Sequence, residues 1–403
     1  MSLFGMFRKN YSGTPYIVFD IGGTSVGAAI FLQKEGEPPY IVHATREWLR
    51  PPREVSMERL TRTIEVAIRK AGQNLLQYGT KRLAGAGYEG RFPTRVTCFV
   101  SAPWYAPHIN SVHIRGEKPF RVTPRLVEKT VAKETGAIEK RFGVKVSSGA
   151  QGLAVLESQI LSFLVNGYDT EDPFGQSTKN VELLLYTALT DLNLLNRFKE
   201  GVMHVFHADE IETHSFLLAF FSCIRDWKEA HEDFLMVDMS GEVTEVSVVR
   251  AGRLISSASY PLGRNFLARE IARGAGVSFE EALSLLSVHS SGAGNDILGQ
   301  RFGGVLKKIE ESWMKEFEKC ISVSAGESFV PHSVFVAADA VIAPWVISSI
   351  KNEALYQHTL SAKPFVVNLT DEKALHAHVT FGPGVERDPF LMIDTMFVNK
   401  ISL

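Results

Sequence analysis

Two stretches of the chain share one order of apolar, acidic and small residues. In "VFDIGGTSVGAAIF" (18–31), an apolar run reaches Asp20, two glycines and two hydroxyl residues follow, and a second apolar run begins at once. "FLMVDMSGEVTEVSVVRAGRLI" (234–255) repeats this order around Asp238. Short apolar runs bounded by turn residues are typical of buried strands. The pattern predicts two strand–turn–strand units, and their repetition indicates two related domains that face each other.

Helical periodicity follows the first unit. Leucine, isoleucine and alanine recur three and four residues apart in "SMERLTRTIEVAIRKAGQNLLQ" (56–77), which predicts an amphipathic helix. With a strand expected at 96–101, these elements predict a first mixed α/β domain. The next stretch, "SAPWYAPHINSVHIRGEKP", contains Pro103, Pro107 and Pro119 and is expected to break the pattern as a domain boundary.

A smaller α+β unit is predicted between the two repeats. Its helix is expected to start with Thr123 as N-cap, because Pro124 fits the first helical position. The apolar runs 153–168 and 181–190 are predicted strands separated by a polar loop, and a further helix is expected at 192–206.

Composition excludes several classes of protein. A chain of 403 residues is too long for one core, and a net charge of -2 gives no electrostatic case for nucleic-acid binding. The three cysteines lie far apart and form no CxxC, which fits a reducing cytoplasm. The longest apolar stretch, "FLLAFFSCI", is about half of what spans a bilayer. We expect a cytoplasmic protein without a transmembrane segment.

The two ends of the chain are the remaining candidates for membrane contact. "MSLFGMFRKN" has its apolar residues before its charges, the reverse of a secretory signal, and its residues 3–7 form an alternative membrane or partner contact. The last helix is expected to start with Asp388 as N-cap and Pro389 next. Because its only basic residue is Lys400, we expect this helix to pack on the body.

The first turn is neither a P-loop nor a dinucleotide-binding turn. No GK[ST] follows the glycines, and the turn leads into a strand rather than a helix. Gly22 and Gly23 leave backbone N–H groups open, and these groups could cradle a phosphate together with the hydroxyls of Thr24 and Ser25. Asp20 could hold a metal ion through water. Taken alone, this turn could be a plain Gly-Gly hairpin. Because the turn is repeated around Asp238, we favour a polyphosphate site in which the two turns bind from opposite sides.

The paired turns resemble the two phosphate motifs of the actin, Hsp70 and sugar-kinase superfamily. "YPLGRNFLAREIARGAGVSFEEALSLLS" (260–287) looks like the segment after the second phosphate motif in the PilM and FtsA branch. "HSVFVAADAVIAPWVISSI" (332–350) occupies the place of the adenosine motif, and the predicted insertion is similar to the SHS2-like strand–helix–strand–strand subdomain of that branch. The resemblance implies an α/β fold, the two-domain actin-like (ribonuclease H-like) fold with this small α+β subdomain inserted.

The resemblance also implies a division of the chain. The insertion precedes the second phosphate turn, where sugar kinases and Hsp70 proteins carry none. The expected parts are a first actin-like domain (1–109, returning at 207–231), the inserted subdomain (110–206), a second actin-like domain (232–264 and 327–385), its helical subdomain (265–326) and a C-terminal helix (386–403).

A site for ATP or ADP with Mg²⁺ is implied by the same resemblance. The phosphates would lie between the two turns, with Mg²⁺ held through water by Asp20 and Asp238. Glu212 falls near the position that orients an attacking water; a solvated acid is the alternative. The residues expected to bind nucleotide or phosphate are Asp20, Gly22, Gly23, Thr24, Ser25, Asp238, Gly241, Glu242, Val243, Thr244, Gly263, Ala337, Ala338 and Asp339.

The chain departs from the family pattern at the adenosine end. Its turn reads Ala337-Ala338-Asp339 where the family has glycines, so two methyl groups and a carboxylate stand where backbone would approach the nucleotide. Gly263 is kept, but Arg264 replaces the second glycine. These departures leave nucleotide binding open, and we expect a weak ATPase at most.

The implied function is a cytoplasmic scaffold at the inner face of the membrane. In the PilM type, it links an inner-membrane partner in type IV pilus assembly, whose cytoplasmic tail would add to a strand edge of the insertion, at 156–165 or 181–190. One alternative is an FtsA-like tether in bacterial cell division, and another is a nucleotide-free pseudo-ATPase that acts through interactions. A small-molecule kinase would need a general-base Asp that the sequence does not offer. Self-association is a further expected contact.

Overall fold

A computed structural model of the protein describes residues 13–49, 56–143, 152–208, 210–227, 232–290, 295–326 and 329–402. The N-terminal residues 3–7 considered above lie outside these ranges. The strands are β1 (Thr14–Ile21), β2 (Ser25–Gln33), β3 (Tyr40–Trp48), β4 (Arg95–Val100), β5 (Tyr105–Arg121), β6 (Leu153–Val165), β7 (Tyr168–Thr170), β8 (Ser177–Asp191), β9 (Glu210–Ser215), β10 (Phe234–Met239), β11 (Thr244–Arg250), β12 (Arg253–Tyr260), β13 (Ser333–Ala338), β14 (Val366–Leu369) and β15 (Thr380–Phe381). The helices are α1 (Met57–Gly85), α2 (Pro124–Gly143), α3 (Leu192–Phe206), α4 (Phe216–Trp227), α5 (Arg264–Ala275), α6 (Phe279–Ser290), α7 (Asn295–Ala325), α8 (Ala343–Ile350), α9 (Glu372–Leu375) and α10 (Pro389–Ile401).

The first lobe is built on a six-stranded sheet in the order β15-β3-β2-β1-β4-β9. β1 pairs antiparallel with β2 and parallel with β4, and β4 pairs parallel with β9. Because side chains alternate between faces, Phe19 contacts Phe206 of α3 on one face, while Phe99 contacts Phe397 of α10 on the other. Helices thus cover both faces, which explains why β2 is buried at every position.

The inserted subdomain has a four-stranded sheet in the order β5-β8-β6-β7. The valine and leucine side chains on one face of this sheet form a small separate core that includes Val127 of α2. The chain order is strand, helix, then three strands of which β7 is very short, so the inserted unit is a small α+β subdomain, as predicted.

The segment with three prolines was expected to break the pattern at a domain boundary; the chain enters the inserted sheet within it, at Tyr105, and from there on it is a strand. β5 runs for 17 residues through Pro107 and Pro119. It lies at an edge of its sheet, where a residue without an N–H costs no ladder hydrogen bond. Its pairing with β8 also shifts between Arg115 and Phe120, which accommodates the second of these prolines.

Two further expectations about the insertion need correction. Its expected start at 110 falls inside β5, and α3 packs on α1 of the first lobe, where Val205 and Phe206 face Gly72. Residues 105–191 therefore form the inserted unit more closely than 110–206. The stretch 181–190 is also no sheet edge, because β8 pairs with β5 on one side and β6 on the other.

The second lobe has a five-stranded sheet in the order β12-β11-β10-β13-β14. β10 pairs antiparallel with β11 and parallel with β13, which repeats the pairing of β1 with β2 and β4. Helices α5, α6 and α7 pack beside it around Trp313, which stacks on Phe317 and meets Trp345 edge-on. The internal repeat in the sequence is therefore a repeat of strand topology.

The C-terminal helix α10 packs on the body, as predicted. Asp388 caps it by accepting from the N–H groups of Phe390 and Leu391, and its apolar face lies in the core of the first lobe. Within the part of the chain that the structure describes, no helix combines the length and the apolarity needed to cross a bilayer.

Candidate functional site

The two Asp-containing turns lie directly against each other. A β-carbon on Gly241 would be 2.6 Å from Thr24 Cγ2 and 2.7 Å from the carbonyl carbon of Gly23. Ser240 Oγ donates across the cleft to Ala102 O at 3.0 Å. The turns thus face one another across a single cleft, and glycine at 241 is what permits so close an approach.

A guanidinium group from β3 lies on the first aspartate. Arg46 Nη2 is 2.8 Å from Asp20 Oδ2 and donates to Asp388 Oδ1 at 2.9 Å, while its Nε donates to Asp388 Oδ2. Its Nη1 donates to Ser25 Oγ at 2.8 Å. All three nitrogens of this buried side chain are therefore engaged at the place where the resemblance implied water-bound Mg²⁺.

Arg264 and Asp339, two residues at which the sequence departs from the family pattern, form an ion pair with each other. Arg264 Nε lies 2.8 Å from Asp339 Oδ2, and the guanidinium stacks on Trp48 of the first lobe at 5.0 Å from the ring centroid. Asp339 Oδ1 also accepts from the N–H of Val341 at 2.9 Å, ahead of α8. The carboxylate and the arginine that replace family glycines thus neutralise each other. Ala337 and Ala338 end β13, the strand beside Asp238.

The second turn uses its polar groups internally. Thr244 Oγ1 donates to Leu262 O at 2.9 Å and accepts from the Trp313 indole at 3.3 Å. Glu242 is held by Arg269 through two hydrogen bonds of 2.7 and 3.0 Å. The first amides of α5, those of Arg264 and Asn265, donate to carbonyl groups of the turn at 3.0 and 2.8 Å. These particular groups are therefore engaged within the protein and are not available to a phosphate.

Two other predicted residues have packing roles in this arrangement. A β-carbon on Gly263 would lie 2.4 Å from Val243 N, so a side chain there would push the start of α5 off the turn. Val243 itself is buried in the core. Glu212 lies away from both turns: it is exposed on β9, two strands from β1, beside a separate cavity of about 390 Å³ lined by Tyr16 and Ser402.

Burial changes the ionisation of the carboxyl groups at the cleft. Desolvation by burial raises the pKa of Asp20, although Arg46 opposes the shift. Desolvation, together with Glu245 and Asp20, raises the pKa of Asp238 well above its usual value. Asp238 is therefore biased towards the neutral form, which is a poor partner for Mg²⁺ and its water shell.

The residues present do not fit a magnesium nucleotide. The cavity between the turns, bounded by Asp20, Thr24, Arg46 and Ser240 among others, measures about 30 Å³. This is on the order of the space taken by one or two water molecules. A triphosphate would require the turns to separate and both arginine pairs to break.

Asp394, on α10 behind Arg46, gives a prediction about pH. It is fully buried, neither carboxyl oxygen has a hydrogen-bond partner among the described residues, and desolvation by burial raises its pKa well above the usual value. A carboxyl group with a raised pKa in the folded protein costs no stability below about pH 4, where it is protonated in both the folded and the unfolded state. As the pH rises above this value, the group ionises in the unfolded state first, and the folded protein loses stability. Asp394→Asn should therefore raise the free energy of unfolding by about 1–3 kcal/mol at pH 7.

Urea unfolding at pH 5 and pH 8 measures this effect. The wild type should lose stability between the two values, and Asp394→Asn should lose less. Asp226→Asn, an exposed change of the same chemistry on α4, is the matched control and should leave the pH dependence unchanged. An equal loss in wild type and Asp394→Asn would contradict the prediction.

Comparison with known proteins identifies the fold. No protein-family model matches the chain, and no curated protein matches it in sequence. Among solved structures, it is similar to a PilM–PilN type IV pilus biogenesis complex, with 12% identity, a TM-score of 0.53 and 95% of each chain covered. The fold is therefore the two-domain actin-like fold with an inserted α+β subdomain, as the sequence predicted.

Two weaker structural likenesses extend over nearly the whole chain. A protein of unknown function with an actin-like ATPase fold from Bacteroides thetaiotaomicron covers 98% of this chain and 99% of its own, at 8% identity and a TM-score of 0.40. The ethanolamine utilization protein EutJ from Carboxydothermus hydrogenoformans covers 97% and 91%, at 11% identity and a TM-score of 0.41.

Proposed function

We propose that this chain is an actin-like scaffold of the PilM type, which binds the cytoplasmic tail of an inner-membrane protein in type IV pilus assembly. The likeness to the PilM–PilN complex over 95% of both chains supports the assignment to this branch. The inserted subdomain between the two parts of the first lobe supports it as well. The protein would then work at the inner face of the membrane through its partner.

The observation that carries the proposal is the edge of β6. Among the described residues, β7 is the strand that pairs on that side of β6, and it reaches only Phe163–Val165. Leu156 O already accepts from Thr213 Oγ1 of β9, so the part of this edge without a further strand among the described residues runs from Ser158 to Ser162, where an extended peptide could add. Pairing with β8 shifts near Leu156 and near Leu161, so the regular part of this edge lies between them.

The same edge lies beside the first lobe. Glu157 of β6 accepts from the N–H of Ser215 at 2.7 Å and contacts His214 Nδ1 at 2.9 Å, at the end of β9. A peptide on β6 would therefore sit at the junction of the inserted subdomain and the first lobe. Its backbone would supply affinity and its alternate side chains specificity.

Among the alternatives, a nucleotide-free interaction protein is favoured by the ion pairs and close contacts in the cleft. An FtsA-like division tether is less favoured, because α10 is packed into the first lobe. The proposed function does not require ATP or ADP with Mg²⁺. Self-association stays a prediction.

Proline substitutions test the edge. Ser158 and Gln159 are neighbours on β6, and in an antiparallel edge strand successive residues point their N–H groups alternately inwards and outwards. One of Ser158→Pro and Gln159→Pro therefore keeps the pairing with β8 and removes an outward donor. That variant should keep its melting temperature and bind the peptide about tenfold more weakly, because one backbone hydrogen bond is lost.

Fluorescence anisotropy with synthetic cytoplasmic tails of the pilus and division inner-membrane proteins provides the measurement. The proposal expects the pilus tail to bind and the stable proline variant to bind it more weakly. Binding of the division tail alone would favour the FtsA-like alternative. Unchanged binding of the pilus tail to both proline variants would contradict the assignment to this edge.

A further inference from the structure

Two arginine side chains are paired with aspartates in the cleft between the lobes. Asp20 and Asp388 share Arg46, and Asp339 is paired with Arg264. Both arginine side chains are about nine-tenths buried, so these pairs are shielded from solvent and from salt. In a nucleotide-binding cleft, Mg²⁺ would balance the aspartates of the turns; here arginines of the chain balance Asp20 and Asp339, while Asp238 lies beside Glu245 and Asp20 and is biased towards its neutral form.

Displacing Arg46 would be costly. Its guanidinium makes four polar contacts with Asp20, Asp388 and Ser25, and its pKa is raised because of the two carboxylates. A Mg²⁺ ion entering beside it would meet a fixed positive charge, and moving the arginine away would leave buried groups without partners. The ion therefore gains little from Asp20 while Arg46 is in place.

The lobes are also joined directly around the cleft. Ser240 Oγ donates to Ala102 O of the first lobe, and Tyr105, the first residue of the inserted subdomain, donates to Glu245 Oε2 at 2.7 Å in a buried hydrogen bond. Arg264 of the second lobe lies on the ring of Trp48 of the first. These contacts connect the lobes without any bridging ligand.

We infer that the cleft is a permanently closed joint, in which Arg46 and Arg264 balance the charges that a magnesium nucleotide would balance, so that Mg-ATP and Mg-ADP do not bind there. This inference goes beyond the proposed function and does not depend on it: peptide binding on β6 can succeed or fail whichever way the cleft behaves.

Calorimetric titration and thermal unfolding of the full chain test whether a magnesium nucleotide binds in the cleft. Millimolar Mg-ATP or Mg-ADP should give no binding heat and no change in melting temperature. Saturable binding of either nucleotide, or an increase in melting temperature that depends on its concentration, would overturn the inference.

Chemical rescue tests the role of Arg46. Arg46→Ala should lower the melting temperature by several degrees, and millimolar guanidinium ion should restore part of the loss by entering the vacated place beside Asp20 and Asp388. Urea at the same concentration, which has a similar shape but no charge, should not. Arg62→Ala, which removes an exposed arginine paired with Glu58, is the control and should show neither loss nor rescue.

A milder variant keeps the test usable if Arg46→Ala does not fold. Arg46→Lys retains the charge but cannot reproduce the forked contacts, so it should fold with a smaller decrease in melting temperature and still fail to bind Mg-ATP. Guanidinium rescue together with absent nucleotide binding would support the inference. A melting temperature of Arg46→Ala equal to that of the wild type, or a loss that guanidinium does not repair, would contradict the role of Arg46.

Discussion

Gly241→Val should force the two lobes apart. The new side chain would start 2.6 Å from Thr24 Cγ2 and 2.7 Å from the carbonyl carbon of Gly23, and the latter is backbone that no rotamer change can move away. Overpacking at a site fixed on both sides should lower the free energy of unfolding by about 3 kcal/mol. Hydrogen exchange should increase in both turns, because the contact that covers them is lost.

Denaturant unfolding and hydrogen exchange of the full chain measure this result. Gly136→Val is the matched control, because a β-carbon at that position of α2 meets nothing within 4 Å. It should leave both measurements near those of the wild type. Exchange rates in the turns that Gly241→Val does not change would show that the lobes do not meet there.

Glu157→Ala should loosen the inserted subdomain from the first lobe. Its buried carboxylate accepts from the N–H and the hydroxyl of Ser215 and contacts His214, so truncation leaves these groups without their partner. Breaking a buried charged contact by removing one member typically costs about 3–5 kcal/mol. The loss should be accompanied by faster hydrogen exchange at the end of β9.

Glu182→Ala on β8 of the same sheet is the control for this change. Glu182 bonds Ser111 at the surface, and its removal should cost less than about 1 kcal/mol. If the two variants lose equal stability, Glu157 does not anchor the subdomain.

Much of the fold could be predicted because it is repeated in the sequence. The order of apolar run, aspartate, glycine and apolar run around Asp20 and Asp238 is the order of β1–β2 and β10–β11 in the structure. The strand within the segment 101–119 could not be predicted, because its prolines are tolerated by an edge position that exists only after the sheet has formed. The assignment of α3 to the first lobe likewise depends on its contact with α1, which no local pattern reports.

The candidate site was predictable only in part. Arg264 and Asp339 were each visible as departures from the family pattern, and their opposite charges were a signal that they could pair. Arg46 carried no such signal, because no element was predicted around it and a single arginine in a sequence is ordinary. Its partner Asp388 was predicted only as a helix cap, and the ion pair between them joins positions 342 residues apart.

The most direct test of the closed joint is a distance measurement between the lobes. The native cysteines Cys98, Cys223 and Cys320 are all buried, so nitroxide labels can be placed by Gln77→Cys on α1 and Glu280→Cys on α6, both exposed positions. Pulsed electron resonance should then give one narrow distance distribution that is identical with and without millimolar Mg-ATP. A second distance, or a shift on adding Mg-ATP, would contradict the account.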